Sequence, residues 1–453
     1  DTIRNGTFFF KRNVGESGMD QLSLMCRDTD FPPMSLDIYA TPGAKIKVTG
    51  TNPLIYTWRV DSPVKEQQEH NRFIEDSRDL WDEFQRLAIK ERSMRSASEA
   101  ERKALRTKSD SISSIINQRE LKLMKELPIS NVWMEKLLRL SMSLKYNSRF
   151  TNKEEILALY DRLNEEQKAS IEGQEIRVNL FPPKTVKEGD DMADADLFDL
   201  DGKVHHLADF KGKYMLLDFW SSGCGPCIMA LPEMKEIQEQ YKDRLTIISL
   251  SSDTQTRWKA ASTQHEMTWQ NLSDLKQTAG LYAVYDVNGI PNYVLISPKG
   301  KIVKMWSGYG KGSLKLKMRR YLDAPKREMS ITGDTNRKVV NYPSFESTNT
   351  DILEVKQVEL TDTATIVHFY AYYIPKYWIQ VSVNAKLVDE QGTSYTLQKA
   401  DGITPGKHFF LPESGEAEFS LTFKPLPLKT KSFNFTEGTA KNDWQINGIK
   451  LTK

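Results

Sequence analysis

The chain is 453 residues long, and its 63 basic and 61 acidic residues leave a net charge of +2. That balance sets up no field that would select nucleic acid or an anionic membrane, and no apolar run reaches the roughly 18 residues needed to span a bilayer. A hydrophobic content of 39% is enough to build cores for about three domains of ordinary size in a soluble, globular chain. Three cysteines are too few for a disulfide scaffold. The chain starts at Asp1 rather than at a methionine, which suggests that a leader was removed.

Residues 1–62 read as a small antiparallel β domain. Strands are expected at Thr7–Phe10, Leu22–Cys26, Ser35–Tyr39 and Lys45–Val48, with Pro42-Gly43 as a turn. Cys26, in a strand of alternating character, reads as a small buried apolar residue. Residues 63–180 read as a helical region. Phe73, Leu80, Phe84 and Leu87 recur at helical spacing, as do Trp133, Leu137, Leu140 and Leu144, and then Ile156, Leu159, Tyr160 and Leu163. These stripes are core faces, not cofactor boxes. Thr151-Asn152-Lys153-Glu154 has the form of a capping box, and Phe181-Pro182-Pro183 reads as a linker.

The chemistry lies in the third region, 185–325. Tyr214–Trp220 is an almost unbroken apolar run, the pattern of a central strand covered on both faces. It feeds a helix-forming run, Ile228–Tyr241, through Ser221-Ser222-Gly223-Cys224-Gly225-Pro226-Cys227. Unpaired backbone N–H groups and the macrodipole at a helix N-terminus favour a thiolate, so Cys224 is expected to be the nucleophile. Cys227, one turn on, is placed to resolve the mixed disulfide. The intervening Gly225-Pro226 pair tunes the potential toward the reducing end. Half of a zinc or iron–sulfur site is the alternative, but such sites usually need four cysteines and only Cys26 remains. Asp218, charged inside an apolar strand, is costly to bury, so a raised pKa would let it relay a proton to Cys227.

The run L-L-D-F-W-S-S-G-C-G-P-C, with Pro232 beyond it, resembles thioredoxin. The wider span 190–323 resembles the TlpA/ResA branch, also described as AhpC/TSA. Leu200-Asp201-Gly202-Lys203 through Phe210–Lys213 resembles that branch's lead-in hairpin. Gly289-Ile290-Pro291 followed by Tyr293–Ile296 resembles its cis-proline loop and next strand, and Ser297-Pro298-Lys299-Gly300 the turn after it. The resemblance implies a mixed sheet flanked by helices, a cis Pro291 against the cysteines, and an Ile290 backbone that pairs with a substrate strand. Trp220 matches the tryptophan that supports the site, and Asp218 the proton-relaying aspartate. Two positions depart from thioredoxin: Gly223 stands where it has a tryptophan, and Ser249 where it has a lysine near the buried aspartate. The branch carries a helical insertion with a glutamate near the site, and the stretch between Ser251 and Leu281 singles out no residue for it. The closing helix is expected at Ser313–Leu322, ended by Asp323-Ala324-Pro325.

Residues 327–453 change character to strands. Thr365–Tyr372, Ile379–Ala385 and Ala417–Phe423 alternate or run apolar, with turns at Asp389–Gly392 and Pro412–Gly415. This spacing suggests a β-sandwich. Thr41–Gly50 resembles the end of a β domain often found ahead of thioredoxin domains in the branch, and Phe423–Ile449 resembles the ends of its β-domain-bearing members.

Together these features give a multidomain α/β plus β chain: a thioredoxin fold between an N-terminal sheet with a helical region and a C-terminal β-sandwich. The expected activity is thiol–disulfide exchange, run as a reductase on envelope proteins in the periplasm. The cysteine pair carries the electrons without a cofactor, and an upstream thiol donor restores it. Two alternatives stand beside it. Ser221-Ser222-Gly223-Cys224 loosely imitates a peroxidatic Thr-x-x-Cys loop, and a non-enzymatic scaffold could keep the fold for contact alone.

Overall fold

The computed structural model describes residues 8–452 except 12, 15–17, 27, 95–97, 148, 324–327, 439 and 441. Asp1, Thr7, Ala324 and Pro325, on which expectations above rest, lie outside the described residues. The chain forms two compact units, 1–185 with 276–284 and 186–275 with 285–453.

The first unit opens with β1 (Asp20–Leu24) and β2 (Leu36–Ala40), an antiparallel pair, then β3 (Lys47–Thr49) and β4 (Arg59–Asp61), a second pair. Seven helices follow: α1 (Lys65–Asp76), α2 (Arg78–Ser93), α3 (Glu99–Glu126), α4 (Asn131–Tyr146), α5 (Lys153–Tyr160), α6 (Glu165–Ala169) and α7 (Ile171–Leu180). Phe73 of α1, Trp133, Leu137 and Leu140 of α4, and Ile156 and Leu159 of α5 join Tyr39 of β2 in one buried core. In α2, Leu80, Phe84 and Leu87 are only half-buried.

Three local expectations are corrected here. Phe8–Phe10 is not a strand, since an apolar triplet without a partner strand has nothing to pair with. Cys26 lies beyond the end of β1, half-exposed, with its thiol 3.7 Å from Asp28 Oδ2. Thr151–Glu154 makes no capping box: Asn152 is the N-cap, and its side-chain amide donates instead to Glu155 Oε1 at 3.0 Å. Capping boxes do close α3, between Ser98 and Glu101, and α6, between Asn164 and Gln167.

The second unit begins with a short hairpin, β5 (Leu197–Phe198) and β6 (Val204–His205). Then come β7 (Tyr214–Trp220), α8 (Gly225–Tyr241), β8 (Leu245–Ser251), α9 (Gln255–Gln264) and β9 (Gln270–Leu272). A one-turn helix, α10 (Leu281–Val284), groups with the first unit; β10 (Asn292–Ile296), β11 (Ile302–Ser307) and α11 (Ser313–Leu322) complete this half. The sheet order is β11-β10-β7-β8-β9, with β7, β8 and β9 parallel and β10 antiparallel to both neighbours. β7 is central, as its apolar run requires. Leu216 on one face packs with Ala230, Met234 and Ile237 of α8 and with Leu314 and Met318 of α11. The carboxylate of Glu233 on α8 accepts the backbone N–H groups of Gly312 and Lys315 at 2.7 and 3.0 Å, capping α11 from outside. The outer edge of β11 is closed by the chain before β5: Ile302 exchanges bonds with Gly189 and Asp190, and Met305 N–H donates to Glu188 Oε1 at 2.8 Å.

Ten strands of the C-terminal half form one sheet. They are β12 (Ser330–Gly333), β13 (Arg337–Asn341), β14 (Ser347–Thr348), β15 (Leu353–Thr361), β16 (Thr365–Tyr372), β18 (Lys386–Asp389), β19 (Ser394–Asp401), β21 (Glu416–Phe423), β22 (Ser432–Thr436) and β23 (Gln445–Lys450). β17 (Trp378–Ile379) and β20 (Phe409–Phe410) pair separately. The order is β12-β13-β15-β16-β21-β19-β18-β22-β23-β14. The sheet curls over a single core, so Phe369 of β16 meets Phe435 of β22, 5.1 Å between ring centroids, although three strands separate them. β19 pairs with both β21 and β18 and joins the two layers. The strand expected over 379–385 stops at Ile379: Ile379, Val381 and Ala385 are buried, but as core contacts of a turn-containing loop. Arg319 of α11 lies over the Tyr372 ring and 3.1 Å from Glu416, and Lys317 pairs with Asp351 at 3.2 Å, fastening α11 to this sheet.

Candidate active site

β7 ends at Trp220 and the chain turns into α8 with Cys224 as its N-cap. The sequence places a cysteine where a serine or aspartate usually stands, and the Cys224 Sγ accepts the Cys227 N–H at 3.1 Å as those oxygens would. Cys224 and Cys227 are joined in a disulfide, their Cα atoms 5.2 Å apart. Cys224 is 9% exposed and Cys227 3%. Around them Gly223, Gly225 and Pro226 are exposed, and Met229, one turn along α8, is 68% exposed. No atom lies within 4 Å of where a side chain at Gly223 or Gly225 would begin, so this rim is open to a docking chain.

The loop before Cys224 is pinned from β8. Ser222 donates its N–H and its hydroxyl to the Asp253 carboxylate at 2.6 and 3.0 Å, and Asp253 is itself held by Ser251. Trp220 packs with both cysteines, Trp258 and Ala261, with Ile290 at the edge of the cluster. The Ile290–Pro291 peptide is cis. Pro291 is buried and its carbonyl accepts the Gly308 N–H at 2.8 Å. Among the described residues, neither the N–H nor the C=O of Ile290 takes part in a hydrogen bond.

Asp218 is 2% exposed on the α8 face of β7, between Leu216, which packs on α8, and Trp220, which packs on the cysteines. Burial pushes its carboxyl up to about 7, opposed only in part by a hydrogen bond from Ser249. Ser249, its register partner on β8, donates its hydroxyl to Oδ2 at 2.7 Å and accepts the Trp269 indole N–H at 2.8 Å. Among the described residues, the buried Oδ1 has no hydrogen-bond partner.

The structure thus gathers Cys224, Cys227, Trp220 and Ile290 in one cluster, with the exposed Gly225 and Pro226 between the cysteines, the buried Pro291 following Ile290, and Asp218 two residues before Trp220 on β7. Sequence reasoning missed Asp253 and Trp269. Asp253 stands two residues beyond the end of β8, and the carboxyl ends of adjacent parallel strands are where site residues gather, a signal that could have found it. Glu266, the single glutamate between Ser251 and Leu281, is exposed and faces Lys235 at 3.9 Å. Among the described residues no group of three or more His, Cys, Asp or Glu side chains is placed to hold a metal ion.

Residues 189–305 match the AhpC/TSA family. The thiol-disulfide oxidoreductase ResA of Geobacillus thermodenitrificans is 32% identical over 139 residues, 30% of this chain and 79% of that protein. This chain belongs to the ResA-like thiol-disulfide oxidoreductases. The thioredoxin-like protein YneN of Bacillus subtilis is 31% identical over 121 residues, 26% of this oxidoreductase and 69% of YneN. Among solved structures, the thioredoxin domain of a thiol-disulfide oxidoreductase from Bacteroides vulgatus is 28% identical, covering 31% of this chain and 100% of that one, with a TM-score of 0.29.

Proposed function

We propose that the oxidoreductase works as a reductase of disulfides in envelope proteins, with Cys224 as the attacking sulfur. The carrying observation is that Cys224 caps α8, its sulfur already accepting a backbone N–H, at a rim open around Gly223 and Gly225. When the disulfide is reduced, the same N–H and the helix dipole stabilise a thiolate there. The Cys224 thiolate attacks a substrate disulfide, one substrate sulfur leaves as a thiol, and a mixed disulfide forms. Cys227 gives its proton to Asp218 and attacks Cys224 Sγ, which releases the second substrate thiol and restores the disulfide. The free N–H and C=O of Ile290 offer two backbone bonds to an extended substrate segment, beside Trp220, Gly225, Pro226 and Pro291. An external thiol donor then reduces the pair. The resemblance to the TlpA/ResA branch supports a periplasmic setting, which fractionation of cells producing the protein would check.

Cys227→Ser is expected to accumulate a mixed disulfide at Cys224 with a disulfide-bonded peptide, seen by mass analysis under non-reducing conditions, whereas Cys224→Ser forms none. An adduct on Cys227 in the Cys224→Ser protein would reverse the roles. Equilibration in thiol–disulfide buffers tests the direction: a potential near about −270 mV supports a reductase, one near about −120 mV an oxidant.

A further inference from the structure

The Asp218 carboxyl has two oxygens in different situations. Oδ2 accepts the Ser249 hydroxyl at 2.7 Å, and among the described residues Oδ1 has no hydrogen-bond partner. The Ser249 oxygen in turn accepts the Trp269 indole N–H at 2.8 Å. Indole nitrogen can only donate, so the hydroxyl hydrogen is directed onward to Asp218. All three side chains are buried. Trp269 precedes β9, whose parallel pairing with β8 brings it alongside Ser249.

We infer that Ser249, oriented by Trp269, is a positioning residue for proton transfer at the cysteine pair: it occupies Oδ2 as a permanent donor and so confines the exchanged proton to Oδ1. The inference rests on the role proposed above for Asp218. In the resolving step the Cys227 S–H bond breaks, its proton goes to Oδ1, and the sulfur's electron pair forms the bond to Cys224 Sγ as the substrate thiolate departs and is protonated by solvent. A hydroxyl, unlike a cation, favours the carboxylate without adding charge to the buried site, so the group stays basic enough to take a proton near neutrality.

Among the described residues, few ionisable groups face Asp218. On β10 its register partner is Tyr293, which burial keeps protonated. Beyond Tyr293 stand Glu233 of α8, tied to the amides of Gly312 and Lys315, and Tyr309, pushed up to about 12 by burial and by Glu233. On the cysteine side of the same face are Cys224 and Cys227.

The test follows one turnover of the reduced full chain with a peptide disulfide, recording Cys224–Cys227 formation as pH is raised across neutrality. Ser249→Ala is expected to move the inflection up by about one pH unit, seen as roughly tenfold slower resolution below it. Ser249→Thr, which keeps the hydroxyl, should restore the wild-type inflection, and Trp269→Phe should move it the same way as Ser249→Ala by a smaller amount. On an Asp218→Asn background, Ser249→Ala should change nothing further. A Ser249→Ala profile with the wild-type inflection, while Asp218→Asn alters it, overturns the role of Ser249 alone. Equal slowing by Ser249→Ala with and without Asp218 overturns it too. If Asp218→Asn itself keeps the wild-type profile, the proton-relay role proposed for Asp218 falls, and this inference with it.

Discussion

Replacing Asp218 by asparagine should make the oxidised protein more stable at mildly alkaline pH. In the fold the Asp218 carboxyl is raised from 3.8 to about 7 by burial, so the folded state holds a proton that the unfolded chain has already released. Stability is therefore complete below the unfolded carboxylate range and is lost as pH climbs from 3.8 to about 7. The rise is equivalent to about 4 kcal/mol once the group is ionised in both states. An asparagine side chain cannot ionise, and its oxygen can still accept the Ser249 hydroxyl, so the variant escapes that loss. The assay is urea unfolding of both proteins with the disulfide intact, at an acidic and at a mildly alkaline pH. Hydrogen exchange in the peptides carrying β7 and β10 makes this sheet alone report. Groups common to both proteins cancel in the difference, which should grow in favour of the variant by about 4 kcal/mol between the two conditions. A difference constant to within about 1 kcal/mol would refute the reasoning, because Asp218 would then titrate alike in both states.

Phe369→Ala removes the ring that lies 5.3 Å from Phe419 and 5.1 Å from Phe435 at the centre of the curled sheet. It should cost about 3–5 kcal/mol, read as an earlier unfolding midpoint of the C-terminal half, and a cost under about 1 kcal/mol would mean that the two layers do not share that core. Gly415→Ala places a Cβ 2.4 Å from the Tyr373 carbonyl oxygen at a residue with φ of +69°. A loss of about 2 kcal/mol or more by the same readout is expected, and a neutral outcome would contradict the turn geometry.

The candidate site was legible where chemistry and local pattern coincide. Cys224 at a helix start, Asp218 in an apolar strand and Ile290-Pro291 before a strand each announce themselves within a few residues. Ser249 was visible only as a departure. Its partnership with Trp269, 20 positions away, depends on strand register, and the hold of Asp253 on Ser222, 31 positions back, depends on two strands lying side by side. The C-terminal half shows the same boundary. Thr365–Tyr372 alternates and is a strand from end to end, whereas Ile379–Ala385 alternates just as well and is mostly loop. Alternation marks Ile379, Val381 and Ala385 as buried, yet Val383 of the same pattern is 62% exposed, and nothing in the pattern reports whether a neighbouring strand is there to pair with. Nor does it reveal that β19 serves two layers, since that pairing joins residues far apart in the chain.

Glu188, Gly189 and Asp190 lie along the free side of β11, while the ten-stranded sheet finishes in β12 of four residues and β14 of two. Exposed strand edges template aggregation, and on the function proposed above the protein would meet extended segments of its substrates continually. Sealing one border and shortening the others denies such chains a long row of vacant donors and acceptors. On the substrate contact proposed above, an incoming polypeptide pairs with Ile290 beside the sulfurs, and adhesion there ends when the disulfide has been exchanged.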